Sequence, residues 1–340
     1  MATGDLKIYA LEAIRGDIAY SSTVAPLRLG GLSNPRIGAV TLTIPLPEEA
    51  SVKRVLLEIG LVTKEYPERM RWRLWFDGVA VSREYRPKSI AVLGEEGYYS
   101  KAVFDVTPIF RREVEVHKVT VSYEGSDPAI VEHVGMLAIY DVPDSVVSYA
   151  FLSGALALTP GERYALSVRL RDVPSDATHA SMRLVASLAQ RTSTLRVYVN
   201  GVEKTRLTGF VGAEDVTIEE IPVADEYRID VAHEAGGGHA KVSTIIISVA
   251  KRALPDIAIE AVERSGEKLR VTLVNRGVSA SEKTMLLVIV PGESMKRLEL
   301  GPMKPGEAKT VEVEAPADRR VTLRVVWVKH GRPYHREVRV

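Results

Sequence analysis

The segment closest to a catalytic or metal-binding motif is HEAGGGH, which runs from His233-Glu234 to His239. A zinc-protease helix requires H-E-x-x-H, because that spacing places both imidazoles on one face of the helix. Here the histidines are six positions apart, and the three glycines between them disfavour a helix. A phosphate-binding loop would end in Gly-Lys-Ser or Gly-Lys-Thr, which this segment lacks. We therefore predict that it forms the tip of a β-hairpin.

No other grouping of reactive residues predicts an active site. The seven histidines are scattered without a recognisable nucleophile motif, and the chain has no cysteine, which excludes disulfides and thiolate chemistry. Carboxylates are numerous but balanced by arginine, which is typical of solvated ion pairs. The sequence does not exclude a pair of carboxylates that face one cleft, as a glycosidase requires. Asp141 and Asp144 lack EF-hand spacing, so we predict a polar loop there and not a calcium site. The sequence thus predicts no catalytic residue, no metal ligand and no cofactor.

A pairing of arginine with an aromatic residue recurs at two places in the chain. Arg73 and Trp75 alternate with apolar residues, and so do Arg196 and Tyr198, which predicts that each pair lies on the outward face of a strand. Arginine and large aromatic side chains are enriched at binding hot spots. Three interpretations follow: the two domains pack on each other through these faces, the faces form an assembly interface, or they form a platform on which glycans stack. We rank domain packing first, assembly second and glycan binding third.

The segments that carry these residues have the pattern of β-strands almost throughout the chain. Apolar and polar residues alternate in stretches such as TLTIPL (41–46), HKVTVSY (117–123) and LRVYVNG (195–201), and Gly, Pro, Asp or Asn bound them. No window of twelve or more residues keeps a helical period. We therefore predict an all-β fold.

An internal repeat divides the first 250 or so residues. WRLWFDGV (72–79) matches LRVYVNGV (195–202), and both contain an Asp-Gly or Asn-Gly pair that favours a type I′ hairpin turn. Leu42 matches Leu166, Tyr123-Glu124 matches His233-Glu234, and each copy closes with an apolar strand. The shared order predicts two related β-sandwiches, at 1–143 and 144–253, which resemble the duplicated jelly-roll-type sandwiches of archaeal surface proteins.

The last part of the chain, 254–340, has regularly spaced turns between short strands, which predicts an immunoglobulin-type sandwich. Its opening Pro255-Asp256, the run Val274-Asn275-Arg276-Gly277 with Ala280, and the turn Pro305-Gly306-Glu307 resemble the cell-adhesion-related Ig-like domain of bacterial and archaeal surface proteins. That resemblance implies an accessory module of extracellular proteins. It implies no catalytic residues.

Composition restricts the partners. The chain has 45 basic and 44 acidic residues, so no general electrostatic attraction to nucleic acid is expected. No apolar run approaches the roughly 20 residues of a membrane span. The start MATGDLKIYA shows no signal peptide, so a cell-surface location is expected only if a leader has been removed. A single glutamine and three asparagines among many charged residues indicate a thermophilic source, plausibly an archaeon.

Taken together, the sequence predicts a non-catalytic structural or adhesive component of a cell-surface assembly. Its expected partners are further copies of itself, another surface protein or a glycan. Two other classes stay open: a carbohydrate-binding accessory protein, and a viral capsid or spike protein built from two jelly rolls. An enzyme is the least favoured class.

Overall fold

The computed structural model describes residues 2–143, 145–219, 221–292, 294–317, 319–329 and 332–340, with only the backbone described at 332. Strands hold 63% of the residues and helices 3%, which confirms the all-β prediction. The chain divides into two compact units, Met1–Ile44 with Ala50–Lys251 and Pro45–Glu49 with Arg252–Val340. Asp144, considered above as a calcium ligand, lies outside the described residues.

The first unit contains two sandwiches. The strands up to the middle of the chain are β1 (Thr3–Ile14), β2 (Asp17–Thr23), β3 (Leu27–Leu29), β4 (Ile37–Thr43), β5 (Ser51–Thr63), β6 (Trp72–Phe76), β7 (Val79–Ser82), β8 (Ser89–Val92), β9 (Tyr98–Asp105), β10 (Val116–Tyr123) and β11 (Ala129–Asp141). They are followed by β12 (Ser145–Leu158), β13 (Arg163–Arg169), β14 (His179–Leu188), β15 (Thr194–Val199), β16 (Val202–Thr208), β17 (Gly212–Ile218), β18 (Glu226–Ala235) and β19 (Ala240–Arg252). Short 3-10 helices occur at Pro67–Arg69, Gly94–Glu96 and Thr107–Ile109.

Both sandwiches have the jelly-roll strand order. In the first, β2-β11-β5-β9 form one sheet and β4-β10-β6-β7 the other, with β3 and β8 added to the larger sheet. In the second, β12-β19-β14-β17 and β13-β18-β15-β16 repeat the same order. Numbered within each sandwich, the strands follow 1-8-3-6 and 2-7-4-5, the arrangement of two Greek keys.

The first strand links the two sandwiches. β1 pairs antiparallel with β12, from Thr3 opposite Ala157 to Ile14 opposite Val147. Although 1–143 was predicted to form the first sandwich, this strand extends a sheet of the second. The chain then turns at Arg15-Gly16 and enters β2 of the first sandwich.

The two predicted type I′ turns are built alike. Asp77 and Asn200 have φ of 48° and 51°, and glycines with positive φ follow them. The Asp77 Oδ1 atom accepts the backbone N–H of Lys118 at 2.8 Å, and the Asn200 Oδ1 atom accepts that of Arg228 at 2.8 Å. These turns fix which residues of the two copies are equivalent.

The predicted match of Leu42 with Leu166 is wrong by two positions. From the turns outward, Phe76 pairs with Val119, which pairs with Val40. In the second copy Val199 pairs with Ile229, which pairs with Leu166. Leu166 is therefore equivalent to Val40. The alternation of a strand repeats every two residues, so such a shift keeps the same pattern.

The second unit is a smaller two-sheet sandwich. Its strands are β20 (Ile257–Ser265), β21 (Lys268–Asn275), β22 (Lys283–Ile289), β23 (Lys296–Glu299), β24 (Ala308–Glu314), β25 (Thr322–Lys329) and β26 (Arg332–Arg339). They form the sheets β20-β21-β24 and β23-β22-β25-β26. The core between the sheets contains Leu269, Val271, Leu286, Leu323 and Val325. The resemblance to the adhesion-related family stays a prediction.

Asn275, part of the motif on which that resemblance rests, organises the turns of the second unit. Its fully buried amide donates to the carbonyl oxygens of Ser279 at 2.8 Å and Met303 at 2.9 Å. Its Oδ1 atom accepts the backbone N–H groups of Asp256 at 3.0 Å and Gly277 at 2.9 Å. The side chain satisfies backbone groups that would otherwise be buried without partners, so its role is structural.

Candidate functional site

The richest group of titratable side chains in the described residues lies between the two jelly rolls. Their larger sheets, β1-β12-β19-β14-β17 and β2-β11-β5-β9-β8, contribute polar residues that bond to each other across the gap. We call this group the interface cluster; its members are Tyr20, Glu58, Lys101, His133, Ser153, Ser243 and Thr244. Apolar contacts flank it, with Leu56, Leu137, Phe151 and Ile246 in one group. Ala91, Tyr99 and Ala155 belong to another.

Two β-bulges turn consecutive polar residues toward the gap. The register of β11 against β5 shifts between Val131 and His133, and that of β19 against β14 shifts at Ser243. A bulge inserts one extra residue and so interrupts the alternation of side chains between the two faces. Glu132 and His133 therefore both form contacts across the gap, as do Ser243 and Thr244.

Glu58 is the centre of the cluster and is fully buried. Its Oε1 atom accepts the hydroxyl groups of Tyr20 at 2.5 Å and Thr244 at 2.6 Å. Its Oε2 atom accepts the hydroxyl of Ser153 at 2.5 Å and lies 3.3 Å from the Lys101 ammonium. These donors and the neighbouring ammonium replace the water contacts that the buried carboxyl group has lost.

Lys101 bridges Glu58 to His133. Its ammonium donates to the Nδ1 atom of His133 at 2.6 Å and to the hydroxyl of Ser243 at 2.5 Å. Burial lowers the pKa of Lys101 to about 8, although the negative charge of Glu58 acts to raise it. The Lys101 ammonium also donates to the Thr244 hydroxyl, at 3.4 Å.

The partners of His133 assign its protonation. Nδ1 accepts from Lys101, so the ring proton sits on Nε2, which is 3.0 Å from the Tyr20 hydroxyl. Tyr20 in turn donates to Glu58. Burial lowers the pKa of His133 well below its usual value, and the positive charges of Lys101 and Arg183 lower it further. Burial and the Glu58 charge raise the pKa of Tyr20 well above its usual value.

Two ion pairs extend the polar contacts across the gap. Arg183 binds Asp215 at 2.6 Å and donates to the Tyr20 carbonyl oxygen at 2.7 Å, while its guanidinium lies 4.7 Å from the centre of the Tyr20 ring. Lys241 binds Glu132 at 2.6 Å. Each pair includes a contact from one sandwich to the other, so the polar groups fix how the sheets lie on each other.

The cluster has the residue types of acid–base catalysis but no access for a substrate. Glu58, Lys101, Ser153 and Thr244 have no exposed surface, and His133 is 1% exposed. Tyr20, at the margin of the cluster, is half-buried. A general base must come within hydrogen-bond reach of the proton that it abstracts from the substrate. Each donor and acceptor of the cluster already has a partner inside the protein. The arrangement can hold the two sheets in one register.

The sequence-predicted residues lie elsewhere. Arg73 and Trp75 project from the outer face of sheet β4-β10-β6-β7, and Arg196 and Tyr198 from that of β13-β18-β15-β16. The prediction that these faces pack the two sandwiches on each other is wrong, because the contact is made by the other sheet of each sandwich. Their assignment as a ligand or assembly interface stays a prediction.

The HEAGGGH segment forms a turn, but the prediction that it is the tip of a β-hairpin is wrong. The strands that it joins are not paired: β18 lies in the sheet β13-β18-β15-β16 and β19 in the sheet β1-β12-β19-β14-β17, so the turn connects the two sheets of the second sandwich. β18 ends at Ala235 and β19 begins at Ala240. His233 is buried and contacts the Leu158 carbonyl oxygen through Nδ1 at 2.9 Å, whereas His239 lies 3.8 Å from Glu96. Within the described part of the chain, no group of three or more His, Cys, Asp or Glu residues could hold a metal ion. No helix there is long and apolar enough to cross a membrane.

The interface cluster itself was missed from the sequence, although a signal exists. Glu58 interrupts the apolar run VLLEIGLV, and Glu132-His133 interrupts IVEHVGMLAIY. A charged residue within a run of strand length is seldom buried unless it is paired. The sequence of such a run does not specify which distant strands supply the hydrogen-bonding and ionic partners of the charged residue.

Comparisons with known proteins do not identify the chain. No family model matches the sequence, and no curated protein matches it. The β-glucuronidase of Dictyoglomus thermophilum is 13% identical at a TM-score of 0.22, over 55% of this chain and 36% of that one. A Ruminococcus gnavus β-glucuronidase is 12% identical at a TM-score of 0.20, over 55% of this chain and 35% of that one. The Bacteroides uniformis β-glucuronidase is 10% identical at a TM-score of 0.21, over 56% of this chain and 26% of that one. The matches span about a third of those chains or less, and at these TM-scores they indicate neither a shared fold nor shared chemistry.

Proposed function

We propose that this chain is a non-catalytic structural component of a cell-surface assembly, from a thermophilic archaeal source. The observation that supports it is the sealed interface cluster: the acid–base residues that the fold brings together hold two jelly rolls in one register. A protein built this way offers a rigid, two-sandwich body with large outer sheet faces. Such a body suits a repeating or adhesive subunit.

Self-assembly of the full chain tests this proposal. We expect light scattering to show a mass that rises with protein concentration above the monomer, and negative-stain imaging to show filaments, sheets or rings. The same samples with and without calcium test whether a cation orders the contacts. A monomer at every concentration in both conditions would contradict the assembly role.

A capsid or spike protein is the second candidate. The pair of complete jelly rolls, with identical strand order, supports it, because the jelly roll is a common architecture of capsid subunits. Fold alone does not determine function, so this candidate ranks below the first. Closed shells of uniform size in the same images would favour it over open filaments or sheets.

A further inference from the structure

The outer faces of the two smaller sheets differ in a way that points to a ligand. The hairpin turns make Trp75 equivalent to Tyr198 and Arg73 equivalent to Arg196. The two faces therefore derive from one arrangement. The charges on the two faces can therefore be compared position by position.

The face of the second sandwich neutralises its own charges. Arg196 binds Glu234 at 2.6 Å and Glu203 at 3.3 Å. Tyr198 lies beneath the guanidinium of Arg163, 5.2 Å from the ring centre, and Arg163 also binds Asp230 at 3.3 Å. The arginines and the aromatic ring of this face are thus occupied by their neighbours on the same sheet.

On the first sandwich the corresponding carboxylates are missing. The neighbours of Tyr198 on the adjacent strands are Asp230 and Glu203, whereas those of Trp75 are Thr120 and Ala80. The first sandwich therefore lacks two negative charges, and the residues directly opposite the indole, Thr120 and Ala80, are small and uncharged.

Arg73 is correspondingly unpaired. Its side chain is exposed, and no carboxylate among the described residues forms an ion pair with it. The exposed Lys118, on the neighbouring strand, also has no ion pair in the described part of the chain. Glu124, the equivalent of Glu234, follows β10 opposite Arg71 and forms no ion pair with either arginine. The face therefore presents unpaired cations beside a half-buried tryptophan.

We propose that this face binds an anionic polysaccharide that carries carboxylate groups, a uronic-acid polymer. Arg73 would bind a carboxylate of the polymer, since a guanidinium matches the geometry of a carboxylate. The indole of Trp75 would stack on the C–H face of a sugar ring, and Thr120, its partner on the neighbouring strand, carries a hydroxyl that could hydrogen-bond to the sugar. This role goes beyond the structural one, because it depends on Trp75 and Arg73 whether or not the chain assembles.

A sugar polymer fits this face better than a peptide does. β6, which carries both residues, is paired with β10 on one side and β7 on the other. Its backbone groups are therefore occupied, and a peptide could not bind by adding a strand there. Recognition on this strand must therefore use side chains alone, as in the binding of a sugar polymer through stacking and ionic contacts.

Polygalacturonate, with dextran as the neutral comparison, tests the proposal in isothermal titration calorimetry with the full chain. We expect polygalacturonate to bind and dextran to bind at least tenfold more weakly. Trp75→Ala and Arg73→Ala should each weaken polygalacturonate binding at least tenfold, and Trp75→Phe should retain most of it. The matched variants Tyr198→Ala and Arg196→Ala should change the Kd less than twofold.

Three results would overturn the proposal. Polygalacturonate does not bind, or it binds equally well to Trp75→Ala protein with an unchanged circular dichroism spectrum. Poly-glutamate or single-stranded DNA binds as tightly as polygalacturonate and with the same dependence on Trp75, which would mean general attraction to polyanions or an acidic protein partner.

Discussion

Replacement of Lys101 by methionine is expected to lower the free energy of unfolding by about 3–5 kcal/mol. The substitution preserves much of the side-chain volume but leaves Glu58 as a fully buried carboxylate without its cation. An unpaired buried charge is far more costly than an unpaired exposed one. Urea unfolding of the full chain, followed by fluorescence, measures the change.

Two further variants distinguish this effect from the effect of replacing any lysine by methionine. Lys251→Met removes an exposed lysine paired with Asp176, and we expect a change below about 1 kcal/mol. Glu58→Gln combined with Lys101→Met removes both charges and should recover much of the loss. Equal effects of Lys101→Met and Lys251→Met would show that the cluster does not stabilise the fold.

The stability of the protein is expected to fall as the pH drops below about 6.5, in part through His133. The pKa of His133 is lowered well below 6.5 in the folded protein, whereas an unfolded chain has the ordinary value. Below pH 6.5 the unfolded state therefore binds the proton first, and acid favours unfolding. For one group the slope reaches about 1.4 kcal/mol per pH unit.

Lys101 gives a change of the same sign on the alkaline side, where stability again rises with pH. Its pKa is about 8 when folded and 10.5 when unfolded, so the unfolded state binds more protons in this window and stability should rise with pH. Above pH 10 the half-buried Tyr20, whose pKa is raised, opposes that rise because it stays protonated only when folded.

Urea unfolding of wild type and His133→Gln between pH 5 and 8 isolates the histidine. The glutamine keeps one donor and one acceptor but does not titrate. The difference in unfolding free energy between the two proteins should change with pH below 6.5 and be constant above it. A difference that is constant throughout would mean that His133 has an ordinary pKa and is open to water.

The sequence predicts the strands and the two hairpins at Asp77-Gly78 and Asn200-Gly201 well because they are encoded locally. Alternation marks the strands of the smaller sheets, such as β10 and β15, whose outer faces meet solvent. Asp77-Gly78 and Asn200-Gly201 mark the turns. The repeat follows from these same local features.

The contact between the sandwiches could not be predicted in this way. β11, β12 and β19 are buried on both faces, so their apolar runs carry no alternation that tells one face from the other. The two bulges shift that pattern again. The pairing of β1 with β12 joins residues that are more than 130 positions apart, and no local pattern specifies it. The outward placement of Arg73 and Trp75 was predictable, but the sheet that faces the other sandwich was not.

Chemical labelling of lysines tests most directly whether the interface cluster is sealed. With its pKa near 8, Lys101 would be among the most nucleophilic lysines of the chain if a reagent could reach it. We expect peptide mapping after brief treatment with an N-hydroxysuccinimide ester to show Lys118 and Lys53 acylated, and Lys101 unmodified until the protein is unfolded in denaturant. Acylation of Lys101 in the folded protein, at a rate near that of Lys118, would contradict the account. It would make the cluster an accessible group of acid–base residues and reopen the case for an enzyme.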